Sequence, residues 1–368
     1  MEWQPDVVWR RCLETLFGLS GNLTLFGLGW GVGANDSANI FGTAVATNSI
    51  RFKTAVTLIA IFVILGSCIH GRHLFEELNF KHSSEAEKSA NQSAETKQTD
   101  NSNIETKAFI STLAAAFTVL LATVLGIPAS TSQAAIGAML GMAISDALAL
   151  GGPINWATVA DWSKFLKMLI CWVLNPIGTA IISVALYLCV GFVIKLFYGQ
   201  DLSGLNRMYR ILLLIAGSYG AYELGANNVV VTTAPYYNSG MFGDITATHN
   251  WWSEPALIAA FIGSLSIAVG ALTYSKKVMY TVGSSITALD PFSAMITVFS
   301  HSLSLMVFTM LKVPVSSSQA IVGAVMGIGL LRGGKTISYK TLGFIFMGWI
   351  MTPVLGAGIA FVLYKIAL

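Results

Sequence analysis

Long apolar runs separated by short polar breaks set the rhythm of this chain. The stretches 54–70, 108–126, 168–194, 255–272 and 341–363 are almost free of charged residues, and each is long enough to cross, or nearly cross, about 30 Å of hydrocarbon. In that medium backbone groups must satisfy one another, so a spanning segment is a helix or part of a closed barrel. Uninterrupted runs of this length lack the alternation of barrel strands, and the pattern predicts helices. Gly, Pro and Asn break the apolar runs at Gly33 to Asn39, Pro128, Asn175-Pro176, Gly225 to Asn228, Pro314 and Pro353. With those breaks the expected count is ten to twelve spans. The tracts 164–197 and 336–368 exceed the roughly 20 residues of a straight span, which predicts tilting or bending at their prolines.

Composition closes off the soluble alternative. The chain is 54% hydrophobic and 11% charged, with a mean hydropathy of +0.68, too few charges to coat a water-soluble domain of this size. The expected setting is therefore a multi-pass position in the cell membrane. Glu2, Asp6, Arg10, Arg11 and Glu14 precede the first apolar run, a pattern unlike a cleaved signal peptide. Lys164, Lys167, Lys195, Arg207, Arg210, Lys276, Lys277, Arg332, Lys335 and Lys340 flank the spans without a bias that would fix orientation. The polar segment 76–107, rich in Ser, Asn, Gln, Glu and Lys, is expected to be a disordered extramembrane loop. Within it, Asn91-Gln92-Ser93 matches a glycosylation acceptor by pattern alone. Cys12, Cys68, Cys171 and Cys189 have no metal or redox spacing and read as small packed residues.

Three marks recur along the chain in the same order. Gly33-Ala34-Asn35-Asp36 returns as Gly225-Ala226-Asn227-Asn228. The run from Pro128 to Ala134, followed by Gly137, returns as Pro314 to Ala320, followed by Gly323. Trp172 with Pro176 returns as Trp349 with Pro353. The separations of 192, 186 and 177 residues shrink steadily, as they should if the polar loop lengthens the first copy. The chain is read as two homologous modules: residues 1–75 and 108–205 form the first, around the loop 76–107, and residues 206–368 form the second. Doubled membrane modules interrupted at matching positions are the mark of alternating-access carriers, with the substrate at the interruptions. The fold class expected is all-α and polytopic, with two inverted repeats that each contain a re-entrant helical hairpin.

The repeated marks suggest two chemistries. A proline, a run of hydroxyls and then a stretch of small residues is how a helix begins. Ser130, Thr131, Ser132 and Gln133, with Ser316, Ser317, Ser318 and Gln319 in the second copy, would surround unpaired backbone amides at the positive end of a helix dipole. Two such starts facing each other would hold a tetrahedral oxyanion without a basic residue inside an apolar segment. The Gly-Ala-Asn motifs point instead to a cation. Asn35, Asp36 and Asn39 bring oxygens to an apolar setting where an unpaired charge is expensive, and they would hold a dehydrated monovalent cation such as Na+ or carry a proton. In the second copy Asn227 and Asn228 keep the polarity, Val231 stands where Asn39 does, and Glu223 is the acid available to replace the missing charge. Asp290 before Pro291 reads equally well as a helix cap. His70, His73, His82, His249 and His301 lie at no metal-ligand spacing, and His301 reads as packed polar residue. No enzyme and no cofactor are expected.

With these residues in view the chain resembles the inorganic phosphate transporter (PiT) family, whose members move phosphate with sodium or protons and include some sulfate permeases. The resemblance covers both modules. It implies that the Gly-x-Asn-Asp motifs lie near the cation and phosphate sites and that the hairpin hydroxyls hold the anion. It therefore nominates Asn35, Asp36, Asn39 and Asn228 for cation coupling, with Na+ at Asn35 and Asp36, beside Glu223 from the reading of the residues themselves. For the substrate it nominates the two hydroxyl runs together with Asn227. The chain departs from the family at Asn228 and Val231, where an Asp and a following Asn are common, and this leaves Na+ and H+ both open as coupling ion. The function implied is phosphate symport by alternating access, with a sulfate permease of the same fold or an anion channel as alternatives. The partners are phosphate or sulfate and the lipid bilayer; no nucleic acid is expected, and a homodimer is left open.

Overall fold

A computed structural model describes residues 5–75, 94–125, 129–149, 156–197, 202–242, 254–285, 289–334 and 337–367. These residues are all-helical. In chain order they form α1 (Pro5–Ala46), α2 (Phe52–Ile69), a 3-10 turn (Gly71–Leu74), α3 (Ala94–Leu125), α4 (Thr131–Ala149), the short α5 (Trp156–Val159), α6 (Trp162–Phe197), α7 (Leu202–Asn238), α8 (Glu254–Ser285), α9 (Pro291–Met310), α10 (Ser317–Leu331) and α11 (Tyr339–Ala367). Pro128, the sequon Asn91-Gln92-Ser93 and the rest of the loop 76–93 lie outside the described residues. Residues 94–107, expected to be disordered, belong instead to α3. Their Glu, Gln and Lys are good helix formers, and the helix continues from them into its apolar half.

Seven helices among the described residues are long and apolar enough to cross a membrane: α2, the apolar part of α3, α4, α6, the apolar part of α8, α9 and α11. The expected ten to twelve spans exceed that number. The difference lies in α10, which is apolar but shorter, and in α1 and α7, whose length suffices but which carry the polar motifs. Large apolar side chains such as Ile181, Phe192 and Leu196 on α6 and Phe344, Ile350 and Ile366 on α11 point outward, as lipid-facing residues do. Pro176 and Pro353 both lie inside continuous helices. Each lacks the N–H that would reach the carbonyl four residues earlier, at Trp172 and Trp349.

The two copies exchange partners. Gly33 on α1 abuts α8 so closely that a Cβ there would lie 1.8 Å from the Ile267 carbonyl oxygen, and Gly225 on α7 abuts α2 at the Val63 carbonyl, 2.1 Å away. The same reciprocity joins Gly270 to Trp30 and Gly66 to Tyr222. In the second half of each copy, Gly137 on α4 meets Pro353 on α11, and Gly323 on α10 meets Pro176 on α6. Small residues at these crossings let helices approach backbone to backbone, the packing available where lipid removes the hydrophobic drive between helices. The equivalent helices α1 and α7 meet in descending order, Phe41 against Gly217, Ile40 against Gly220 and Asp36 against Asn228, so they run antiparallel. The repeats are therefore inverted relative to each other, with each copy's glycines seated on the other copy's helices.

Candidate functional site

The local sequence starts α4 and α10 in the same way. Ser130 Oγ accepts the Gln133 amide at 3.3 Å and Ser316 Oγ accepts the Gln319 amide at 3.3 Å, the N-cap geometry that a hydroxyl before a helix provides. The preceding backbone is held as well: Asn227 Oδ1 accepts the Val315 amide at 3.2 Å, and Asn175 Nδ2 donates to the Ser316 carbonyl at 2.8 Å. The first-turn amides at Thr131, Ser132, Ser317 and Ser318 have no carbonyl one turn earlier in their own helices. All eight residues of the two hydroxyl runs are buried.

Both helix starts close on Asp36. Thr131 Oγ1 donates to Asp36 Oδ2 at 2.9 Å, Asn228 Nδ2 donates to the same oxygen at 3.0 Å, and Asn39 Nδ2 lies 3.5 Å from Oδ1. Asn39 Nδ2 also donates to Ser317 Oγ at 3.3 Å, which ties the carboxylate to the second helix start. None of these side chains is basic. A lone carboxylate in a membrane interior is costly unless several donors or a cation satisfy it. The donors come from α1, α4 and α7 together. Asn39 Oδ1 and Asn228 Oδ1 accept no hydrogen bond among the described residues, so with Asp36 they supply oxygens of the kind a hard monovalent cation takes. Gln133 Oε1 and Gln319 Oε1 likewise have no donor.

The expected residues are not all in one place. Asp36, Asn39, Asn228, Thr131 and Ser317 form one hydrogen-bonded cluster, while Ser132 and Ser318 turn back to the capping serines at 3.4 and 2.9 Å. Asn35 Nδ2 donates to Thr123 Oγ1 at 3.2 Å and Asn227 Nδ2 to Thr309 Oγ1 at 3.5 Å. These two contacts are equivalents, and they anchor each motif to the helix before its own hairpin. Glu223 stands apart from the cluster. It bonds Tyr219 and Thr309 on the wall of a cavity of about 1070 Å³ between α2, α7 and α9, with Tyr222 and Lys312 also on that wall. Asp290 is the helix cap, accepting the Ser293 amide at 2.7 Å and pairing with Arg332.

Several residues at the site escaped the sequence reading. Thr123 and Thr309 are 186 residues apart, the separation of the hairpins, so comparison of the copies would have found them. Asn175, Thr179 and Ser304 form a buried network behind α10. His301 lies against Ser317 Oγ at 2.9 Å through Nε2, where only a polar packing role had been expected.

The comparisons with known proteins agree with this architecture. A family model described as "Phosphate transporter family" matches residues 32–360. The "Putative phosphate permease" of Pyrococcus furiosus is 26% identical to this chain, over 92% of it and 93% of the relative. Another "Putative phosphate permease", from Methanocaldococcus jannaschii, is 27% identical over 91% and 92% of the two chains. The "Probable low-affinity inorganic phosphate transporter" of Rhizobium meliloti is 24% identical over 87% of each. Among solved structures, "The sodium-dependent phosphate transporter" superposes with a TM-score of 0.77 at 20% identity, covering 96% of this chain and 99% of that one. The family match spans both Gly-Ala-Asn motifs and both hairpins, and this chain belongs to the phosphate transporter family.

Proposed function

We propose that the chain is a secondary transporter that moves inorganic phosphate across the membrane by cation symport, with the anion held between the starts of α4 and α10. The observation that carries this reading is the closure of both hydroxyl-bearing helix starts on a single buried carboxylate at the module interface. Ser132, Ser317 and Ser318, the first-turn amides of both helices including that of Thr131, and the side chains of Gln133 and Gln319 supply donors from two sides, as a tetrahedral oxyanion requires. Ser130, Ser316 and Asn227 shape the cradle by capping and anchoring. The names of the relatives, phosphate permeases and transporters, support phosphate as the anion.

Coupling follows from charge. Phosphate brings one or two negative charges to a place that already holds Asp36 and has no basic side chain in the cluster. In a low dielectric that accumulation is prohibitive unless cations enter with the anion. Asp36, Asn39 and Asn228, next to Asn35, are the oxygens suited to Na+, and the sodium-dependent relative of like fold supports that ion. A proton on Asp36 would serve the same balance. Glu223, on its cavity wall beside the Asn227 anchor, is placed to serve a second cation. Alternating access then follows from the inverted repeats, which expose the shared site to one side and then to the other.

Uptake of labelled phosphate, arsenate, sulfate and chloride into proteoliposomes, with Na+ and pH gradients imposed separately, tests the reading. Phosphate and arsenate should accumulate against their gradients, with sulfate and chloride far behind. Uptake that follows only the anion's own gradient would mean a channel, and sulfate accumulation far above phosphate would mean a sulfate permease.

A further inference from the structure

We infer that His301 takes up a proton when the oxyanion binds, giving the second helix start a cationic partner that the first lacks. The inference rests on the proposed anion site. His301 lies on α9, fully buried, with Nε2 2.9 Å from Ser317 Oγ and with Nδ1 unpartnered among the described residues. Ser317 accepts from Asn39, and Asn39 reaches Asp36, so the imidazole is the end of a chain of contacts that runs to the centre of the site.

A serine hydroxyl has one proton to give. With a neutral imidazole bare at Nε2, the Ser317 hydroxyl donates to His301 while accepting from Asn39, and nothing is left for an anion. When a proton from the aqueous side bonds to the Nε2 lone pair, the direction reverses. Nε2–H then donates to Ser317, and Ser317 turns its own proton to the anion. The same proton places a positive charge one hydroxyl away from the phosphate, which is the counter-charge a buried imidazolium needs. When the anion leaves, the charge loses its partner and the proton leaves with it. The device is confined to one copy: the hairpin separation of 186 residues places Ala115 at the position equivalent to His301, and Thr131, the equivalent of Ser317, gives its proton to Asp36 instead.

Other titratable groups lie on the elements packed around α9, and of these Tyr187 on α6 and Tyr209 on α7 face Phe292 at its start. Asp36 on α1 is reached through Asn39, and Glu223 on α7 meets α9 at Thr309. On α6, Asn175 and Thr179 face Ser304, and Lys167 reaches only the Leu311 carbonyl beyond the end of α9. Just past α10, Arg332 pairs with Asp290 at the start of α9, away from His301. His301 touches the second hydroxyl run at Ser317, as Asp36 touches the first at Thr131.

The test is calorimetry of inorganic phosphate binding to the full chain in two buffers of different ionisation enthalpy, well above the second pKa of phosphate. The number of protons bound per phosphate is compared between wild type and His301→Gln, whose amide keeps a bond to Ser317 without titrating. Wild type should take up about one proton more than the variant, because a group whose affinity for protons rises on binding must bind them. The variant should bind phosphate several-fold more weakly. Equal proton numbers at measurable binding would overturn the inference and leave the proposed function standing. No phosphate binding by wild type would overturn both. If the variant does not fold, nitrogen-15 spectra of the labelled chain after replacement of His70, His73, His82 and His249 report His301 alone. An imidazolium signal on phosphate saturation is expected, and an unchanged neutral signal would refute the proposal.

Discussion

Asn228 Nδ2 donates to Asp36 Oδ2 across 3.0 Å, and the two residues hold the same position in the two copies. The pseudo-two-fold axis thus passes between a carboxylate and an amide. Two carboxylates at this distance could not both ionise in a low dielectric, and one would hold a proton. An amide at position 228 removes that conflict.

Restoring the symmetry should therefore change the cation requirement. In Asn228→Asp two acids face each other, and phosphate uptake should need one more cation per turnover. A steeper dependence of uptake on sodium, or on acidity if protons couple, is the expected result. A dependence indistinguishable from wild type would show that the Asp36–Asn228 contact is not part of coupling.

Ser317→Ala removes a donor from the cradle without removing a cap, since Ser316 and Ser130 do the capping. Losing one hydrogen bond to a charged ligand costs about 1.5–3 kcal/mol, so phosphate affinity should fall tenfold or more, with some loss of stability because Asn39 and His301 lose their buried Ser317 partner. Ser130→Ala should differ in kind: loss of the cap costs roughly 1 kcal/mol of stability, so its unfolding midpoint should fall while phosphate affinity stays close to that of wild type. Thermal unfolding and equilibrium binding on both variants separate the roles. The opposite pattern would exchange them.

The close crossings predict where side chains are forbidden. A Cβ at Gly33 or Gly225 would lie within 2.1 Å of a carbonyl oxygen of the other copy, and overpacking of this kind costs roughly 1–3 kcal/mol or more. Gly33→Val and Gly225→Val should both lower the unfolding midpoint in detergent and the yield of folded protein. Gly178→Ala, with no atom within 4 Å of the added Cβ, should behave like wild type. Equal tolerance at all three positions would contradict the exchanged packing of the repeats.

Much of this was legible in the sequence because the bilayer leaves few choices. Apolar runs must become helices, and a repeat of three ordered marks fixes which helices are equivalent. The hydroxyl runs announced helix starts by their own capping chemistry. Where the axis runs was not legible, because a repeat names equivalent residues without saying which of them touch. Hence the direct Asp36–Asn228 bond, and the place of Glu223 outside the cluster, needed the fold. His301 was hidden for the opposite reason: it has no counterpart, and a single histidine among serines reads as packing until its neighbour is known to be Ser317.

If cations gathered at Asp36 drive phosphate through the site, concentrative uptake must fail in Asp36→Asn. Wild-type proteoliposomes should accumulate labelled phosphate when a Na+ gradient is imposed, and should keep doing so when only the pH gradient is dissipated. If protons couple instead, uptake should follow the pH gradient at constant sodium. Asp36→Asn, an isosteric change that removes the charge, should abolish accumulation under either gradient while leaving exchange of phosphate for phosphate measurable. Gradient-driven accumulation by Asp36→Asn equal to that of wild type would contradict the account.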